Sequence, residues 1–144
     1  MSRFAIFAAT MLLSAQPALA NGHGGSEAPP PPKVEATTAP ARIITTRKGP
    51  ALVDLKGMTL YYYERDTSGS KSACDGKCTE SWTPLAASKD AQAVGDFTVI
   101  TRNDGSKMWA YRYRPLYTSP ADKAPGDANG NATTLQWRVA RPED

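Results

Sequence analysis

Hydrophobic positions fall into three regimes along the chain. Phe4 to Leu13 is nearly unbroken apolar sequence, whereas 21–41 hold almost no large apolar side chain apart from Val34. From Arg42 onward, short β-branched or aromatic runs alternate with turn residues. No part of this third regime sustains the spacing of an amphipathic helix, so the pattern predicts strands. They are expected over residues 42–46, 51–55, 58–64, 97–101, 107–113 and 135–139, with a short helical turn over 79–82. Lys48-Gly49-Pro50 reads as a turn. Asn103-Asp104-Gly105-Ser106 closes the clearest hairpin, because Asp-Gly tolerates the left-handed backbone that a tight reversal needs. The expected fold is a small all-β, antiparallel domain.

The first regime reads as an export signal rather than structure. Arg3 supplies the positive start, the apolar run follows, and Ala18-Leu19-Ala20 offers small residues for cleavage after Ala20. About ten apolar residues are too few to span a membrane, which takes ~20. The second regime opens glycine-rich and runs into Pro29-Pro30-Pro31-Pro32. It cannot recover its ordering entropy by burial and reads as a disordered tether over 21–41. The expected organisation is therefore signal peptide 1–20, linker 21–41 and folded domain 42–142. The destination is the periplasm or the medium. The 144 residues carry a formal charge of +3, and losing Arg3 with the leader lowers it by one. So small an excess does not point to nucleic acid or an anionic membrane as partner.

The domain compares with itself. Leu60-Tyr61 returns as Leu116-Tyr117 and Asp66 returns as Asp122, both 56 positions on, while Trp82 returns as Trp137, 55 positions on. Aromatic, acid and tryptophan in one order at nearly one offset indicate two divergent half-repeats. Tyr61, Tyr63 and Asp66 complete the pattern Tyr-x-(Phe/Trp/Tyr)-x-x-Asp. Gly57-Met58-Thr59-Leu60 precedes it, and Cys74, Cys78 and Ser81-Trp82-Thr83-Pro84-Leu85 follow. Arg102-Asn103-Asp104-Gly105, Pro115-Leu116-Tyr117 and Pro125-Gly126-Asp127 stand further on. In this combination the chain resembles the secreted-repeat family of predicted bacterial lipoproteins, over nearly all of 42–142. The resemblance implies an exported module and transfers no activity. Two departures stand out. Ser119 occupies the place of the aromatic ring in the second motif copy, and no cysteine lies near the cleavage site, so the chain is expected not to be lipidated.

Candidate chemistry is sparse. The only histidine, His23, lies in the linker, so the domain lacks the imidazole base that serine or cysteine hydrolases use. Zinc would need four ligands that the domain does not offer. Cys74 and Cys78 read as a disulfide in an exported protein. The alternative is a periplasmic redox or copper-handling accessory, with Met58 or Met108 adding a thioether to the two sulfurs. Asp127 to Asn131 alternates oxygen ligands as a calcium loop does, but Ala132 and Arg138 stand where glycine and the closing acid belong. Asp66 and Asp122 are expected to fix turns beyond their strands, the alternative being a catalytic carboxylate pair. Trp109, Tyr111 and Tyr113 would line one face of a single strand, and Tyr62 would point outward from Tyr61 and Tyr63. These four rings are the candidate ligand face. No metal and no cofactor is expected. The function these residues support is a non-enzymatic binding or structural module whose partner is an envelope component or a small ligand.

Overall fold

The computed structural model describes residues 38–46, 48–67, 69–130 and 135–144, so the leader and all but the last four residues of the linker lie outside the described residues. The first strand, β1 (Ala41–Thr46), begins one residue earlier than expected and pairs antiparallel with β2 (Gly49–Asp54). Gly49 and Pro50 therefore belong to a strand rather than a turn. Proline is tolerated there because β2 starts at that point and its missing N–H leaves no ladder bond broken. The motif strand β3 (Leu60–Tyr63) follows, then the single-turn helix α1 (Lys77–Ser81) and the short β4 (Thr83–Pro84). The second half repeats this order as β5 (Phe97–Thr101), β6 (Lys107–Tyr111), β7 (Arg114–Pro115), β8 (Tyr117–Thr118) and β9 (Trp137–Val139). Almost all regular structure is antiparallel strand, built from two related halves.

The halves do not sit side by side as separate units. The four-stranded sheet has the order β4-β8-β3-β9, so each half's closing strand pairs with the motif strand of the other half. At its centre Tyr61 lies directly opposite Tyr117. A pair formed by two copies of one position places a local twofold axis between them. Backbone bonds beyond the strands obey the same axis. Leu85 donates to Leu116 and Trp109 to Leu85, each at 2.8 Å, while Ala140 donates to Leu60 at 2.8 Å and Leu52 to Ala140 at 2.9 Å. The hairpins correspond as well, and the bridge between Val53 and Thr59 repeats the β6–β7 pairing.

This exchange buries the motif strand on both faces. Tyr61 and Tyr63 enter one apolar cluster with Tyr117, Trp82, Trp137, Met108 and Cys74. Leu60 and Tyr62 enter another with Leu52, Tyr111, Leu116 and Ala140. Strand alternation sends successive side chains to opposite sides. Because both sides are dry, β3 shows no polar positions at all. The first cluster is an aromatic stack. Tyr63 lies 4.3 Å from Trp137 and Trp137 lies 3.7 Å from Trp82, nearly parallel in both cases, while Tyr61 and Tyr117 meet the indoles edge-on. Offset stacks and edge contacts of this kind each add about 1 kcal/mol to the area they bury. The stack ends at Trp82 because Ser119 and Gly130 close it where a further ring would stand.

Gly130 is required there by space alone. A Cβ on Gly130 would meet Cη2 of Trp82 at 2.7 Å and Cβ of Ser119 at 2.8 Å. The aromatic rings cannot retreat from a filled core, so Gly130→Ala is expected to lower stability by about 2 kcal/mol. Urea denaturation measures it, and an unchanged midpoint would show the stack to be loosely packed.

Candidate functional site

The motif residues assemble around the twofold axis. β3 and β8 end just past their tyrosines, and the chain then turns, carrying each aspartate off its own strand. Asp66 does not reach Tyr61, and Asp122 does not reach Tyr117. The bonds cross instead. The Tyr61 hydroxyl donates to Oδ2 of Asp122 at 2.7 Å, and the Tyr117 hydroxyl donates to Oδ2 of Asp66 at 2.8 Å. The other oxygen of each carboxylate takes a backbone N–H seven residues on, from Ala73 to Asp66 at 2.6 Å and from Asn129 to Asp122 at 2.7 Å. One acid thus ties its own outgoing loop and the opposite half's tyrosine.

The environments differ slightly. Tyr117 also shares a hydrogen bond with Ser72 at 2.7 Å, whereas Tyr61 accepts the Gly130 N–H at 3.2 Å. Burial is the largest influence on both phenols and pushes them far above the ordinary tyrosine range, with Asp122 and Asp66 each adding in the same direction. Burial also raises the Asp66 carboxyl, against the Ala73 N–H and the Tyr117 hydroxyl, which favour its charged form. Ser72 is the member of this network that sequence reasoning missed. Nothing in its context, a serine in a loop of serines and glycines, distinguishes it.

Cys74 and Cys78 are joined in a disulfide, and no cysteine is free. Cys74 is fully buried against the aromatic cluster. The bond leaves neither sulfur as a thiolate ligand in the oxidised protein. The loop it closes is held from the second half. A guanidinium nitrogen of Arg102 donates to the Cys74 carbonyl at 2.9 Å and to Oδ1 of Asp75 at 3.0 Å, and Asn103 donates to the same carboxylate. Among the described residues no group of three or more His, Cys, Asp or Glu side chains is placed to hold a metal ion. Oδ2 of Asp127 is taken by the N–H groups of Lys123 and Ala124, so this acid closes a turn.

The expected aromatic face requires correction. Tyr62 is 1 % exposed, Trp109 6 % and Tyr111 5 %, and only Tyr113 stands in solvent, at 68 %. Tyr62 points away from Tyr61 and Tyr63 as alternation demands, but the surface there is covered by the second apolar cluster and by the Arg114 guanidinium, 4.0 Å from its ring centroid. Tyr113 leaves the line of Trp109 and Tyr111 because β6 stops at Tyr111. Arg112 and Tyr113 both take positive φ, 46° and 65°, and reverse the chain into β7. A two-residue turn of this hand suits Asn-Gly, and the left-handed conformation costs other residues about 1–2 kcal/mol each.

An interlocked duplicated β module, with its signature residues spent on joining its halves, is the class that fold and site define. Residues 42–86 and 98–141 each match the family described as a secreted repeat of unknown function, and the chain belongs to that family. Neither the curated proteins nor the solved structures include a match. The matched segments end just after β4 and β9, so each family repeat contains one hairpin, one motif and the strand given to the other half. Among the described residues, no helix is long and apolar enough to cross a membrane.

The two acids are expected to respond differently to neutralisation. In Asp66→Asn the new amide can donate to Tyr117, which then donates to Ser72, so the loss should stay below about 1 kcal/mol. In Asp122→Asn either Tyr61 loses its acceptor or the amide faces the Asn129 N–H, costing about 1–3 kcal/mol. Chemical denaturation of the two variants, compared side by side, checks the difference. A carboxyl whose folded pKa is raised contributes stability below its unfolded value, about 3.9, which is lost as pH rises through the folded value. Asp66→Asn should therefore gain on the parent protein as pH rises above about 4 in thermal melts, and a constant difference would contradict the burial effect. Thiol titration of the oxidised protein should return no free sulfhydryl. Cys78→Ser should cost about 2 kcal/mol, as expected for so short a loop.

Proposed function

We propose that this protein works outside the cytoplasm, freed from its leader after Ala20, as a non-catalytic binding or structural module of the cell envelope. What supports the non-catalytic reading is the state of the motif acids. Both oxygens of Asp66 and both of Asp122 already hold a phenol and a backbone N–H, so neither carboxylate is left free to move a substrate proton. The motif is then an internal fastening, and contact with a partner belongs to the surface.

On that surface the Arg112-Tyr113 turn is the place of contact in this reading. The fold holds a large ring in water at the tip of a strained turn, flanked by two arginines. Tyrosine and arginine are the residues that most often dominate binding energy. Arg112 is paired with Asp96 at 3.3 Å, and Arg114 with Glu64 at 3.4 Å. Such exposed pairs are worth little and can be exchanged for a partner's groups. Backbone strain held at an exposed position supports a role that offsets its cost.

Retention of the purified protein on isolated cell envelopes tests this. Tyr113→Ala is expected to reduce retention about 10-fold, and equal retention would overturn the assignment of the turn. Replacing Arg112-Tyr113 by Asn-Gly should raise stability by about 1 kcal/mol while losing the same retention, which separates contact from folding.

A further inference from the structure

Tyr63, Trp137 and Trp82 stack at centroid separations of 4.3 and 3.7 Å, and Tyr61 and Tyr117 meet the indoles edge-on at 5.2 and 5.1 Å. Five rings are therefore continuous. Both edge-on phenols donate to carboxylates, at 2.7 and 2.8 Å. Tyr62, just across the sheet, has a buried hydroxyl with no hydrogen-bond partner among the described residues.

Indoles and phenols give up a single electron more readily than other side chains apart from thiolates, and both cysteines here are tied in a disulfide. A phenol that loses an electron becomes a strong acid, so its oxidation is easy only where a base stands ready to receive the proton. Tyr61 and Tyr117 have such a base, and Tyr62 has none. Rings in contact offer an electron a path from one to the next.

We propose that the stack is a relay and sink for one-electron oxidants, taking the oxidising equivalent from a diffusible radical to Tyr61 or Tyr117. The radical gains one electron from Trp82 or Trp137 and is reduced. The indole radical cation is refilled by an electron from the adjoining tyrosine. That tyrosine's O–H bond breaks, and its proton forms an O–H bond on Asp122 or Asp66, leaving a neutral phenoxyl radical beside a carboxylic acid. A small thiolate reductant returns one electron and departs as a thiyl radical, while the carboxylic acid returns the proton. Asp66 is the more exposed of the two acids, and the Tyr117 branch is the one closer to solvent protons.

Pulse radiolysis of the full chain with azide radicals tests the relay, since tryptophan and tyrosine radicals have separate absorption bands. The expected result is a first-order conversion of tryptophan to tyrosine radical at a rate independent of protein concentration. The combined Asp66→Asn, Asp122→Asn variant should slow it about 10²-fold, the usual worth of a positioned proton acceptor. Tyr62→Phe should leave it unchanged. Absence of the conversion in the parent protein, or its survival at full rate in the double variant, would overturn the proposal. Since Asp122→Asn weakens the fold, the parent protein in deuterated water gives an independent reading. Slower conversion there supports transfer to the carboxylates, and an identical rate overturns it.

Discussion

The structure depends on two phenol–carboxylate bonds that cross between its halves. A tyrosine and an aspartate five positions apart lie about 16 Å from one another along an extended strand, too far to touch. Bending the chain after the tyrosine does not bring them together, because the acid is then occupied with its own outgoing loop. A second copy of the motif, placed antiparallel across Tyr61 and Tyr117, supplies each tyrosine with the other's acid. The bond is short, buried and joined to a charged group, the setting in which a hydrogen bond contributes most. Because both contacts form by one docking event, the halves become interlocked rather than merely adjacent.

Strand exchange makes each half incomplete without the other. β3 receives β9 from the far end of the chain, and β8 receives β4 from the first half. A lone half would expose both faces of its motif strand, one indole and a row of unpaired backbone groups. Most stabilising contacts therefore join residues distant in sequence, a topology that folds slowly because loop closure must precede its reward. Neither half is finished until Trp137 to Val139 are present. Arg102 and Asn103 work in the same direction, since they hold the disulfide loop of the first half from the hairpin of the second.

Much of this was legible in the sequence. Alternation and turn residues located six of the nine strands of the described residues to within a few positions, and the offset of Tyr61 and Tyr117 announced the duplication. The two-residue β4, β7 and β8 are too short to show a period and were not expected. The ends of strands were less visible. Arg112 and Tyr113 carry no turn signature, so the expected strand ran on through them, and only tertiary packing forces the reversal. Exposure was the least accessible property. Tyr62 looked outward because alternation assigns it the face opposite Tyr61, and that face is solvent in a sheet covered on one side. Here it faces a second core. Leu-Tyr-Tyr-Tyr, with no polar residue, was the trace of that covering. The crossing of the tyrosine–acid bonds left no local trace, because a motif read along one strand does not reveal that its members bind elsewhere.

That crossing changes what the pattern means wherever it occurs once. The hydroxyl and the carboxylate in a single copy are two unmatched ends, like the hook and eye of separate garments. A polypeptide bearing one copy would have to borrow its complement from a neighbouring molecule, and two such molecules meeting about the axis now occupied by Tyr61 and Tyr117 would reproduce this architecture as a symmetric pair.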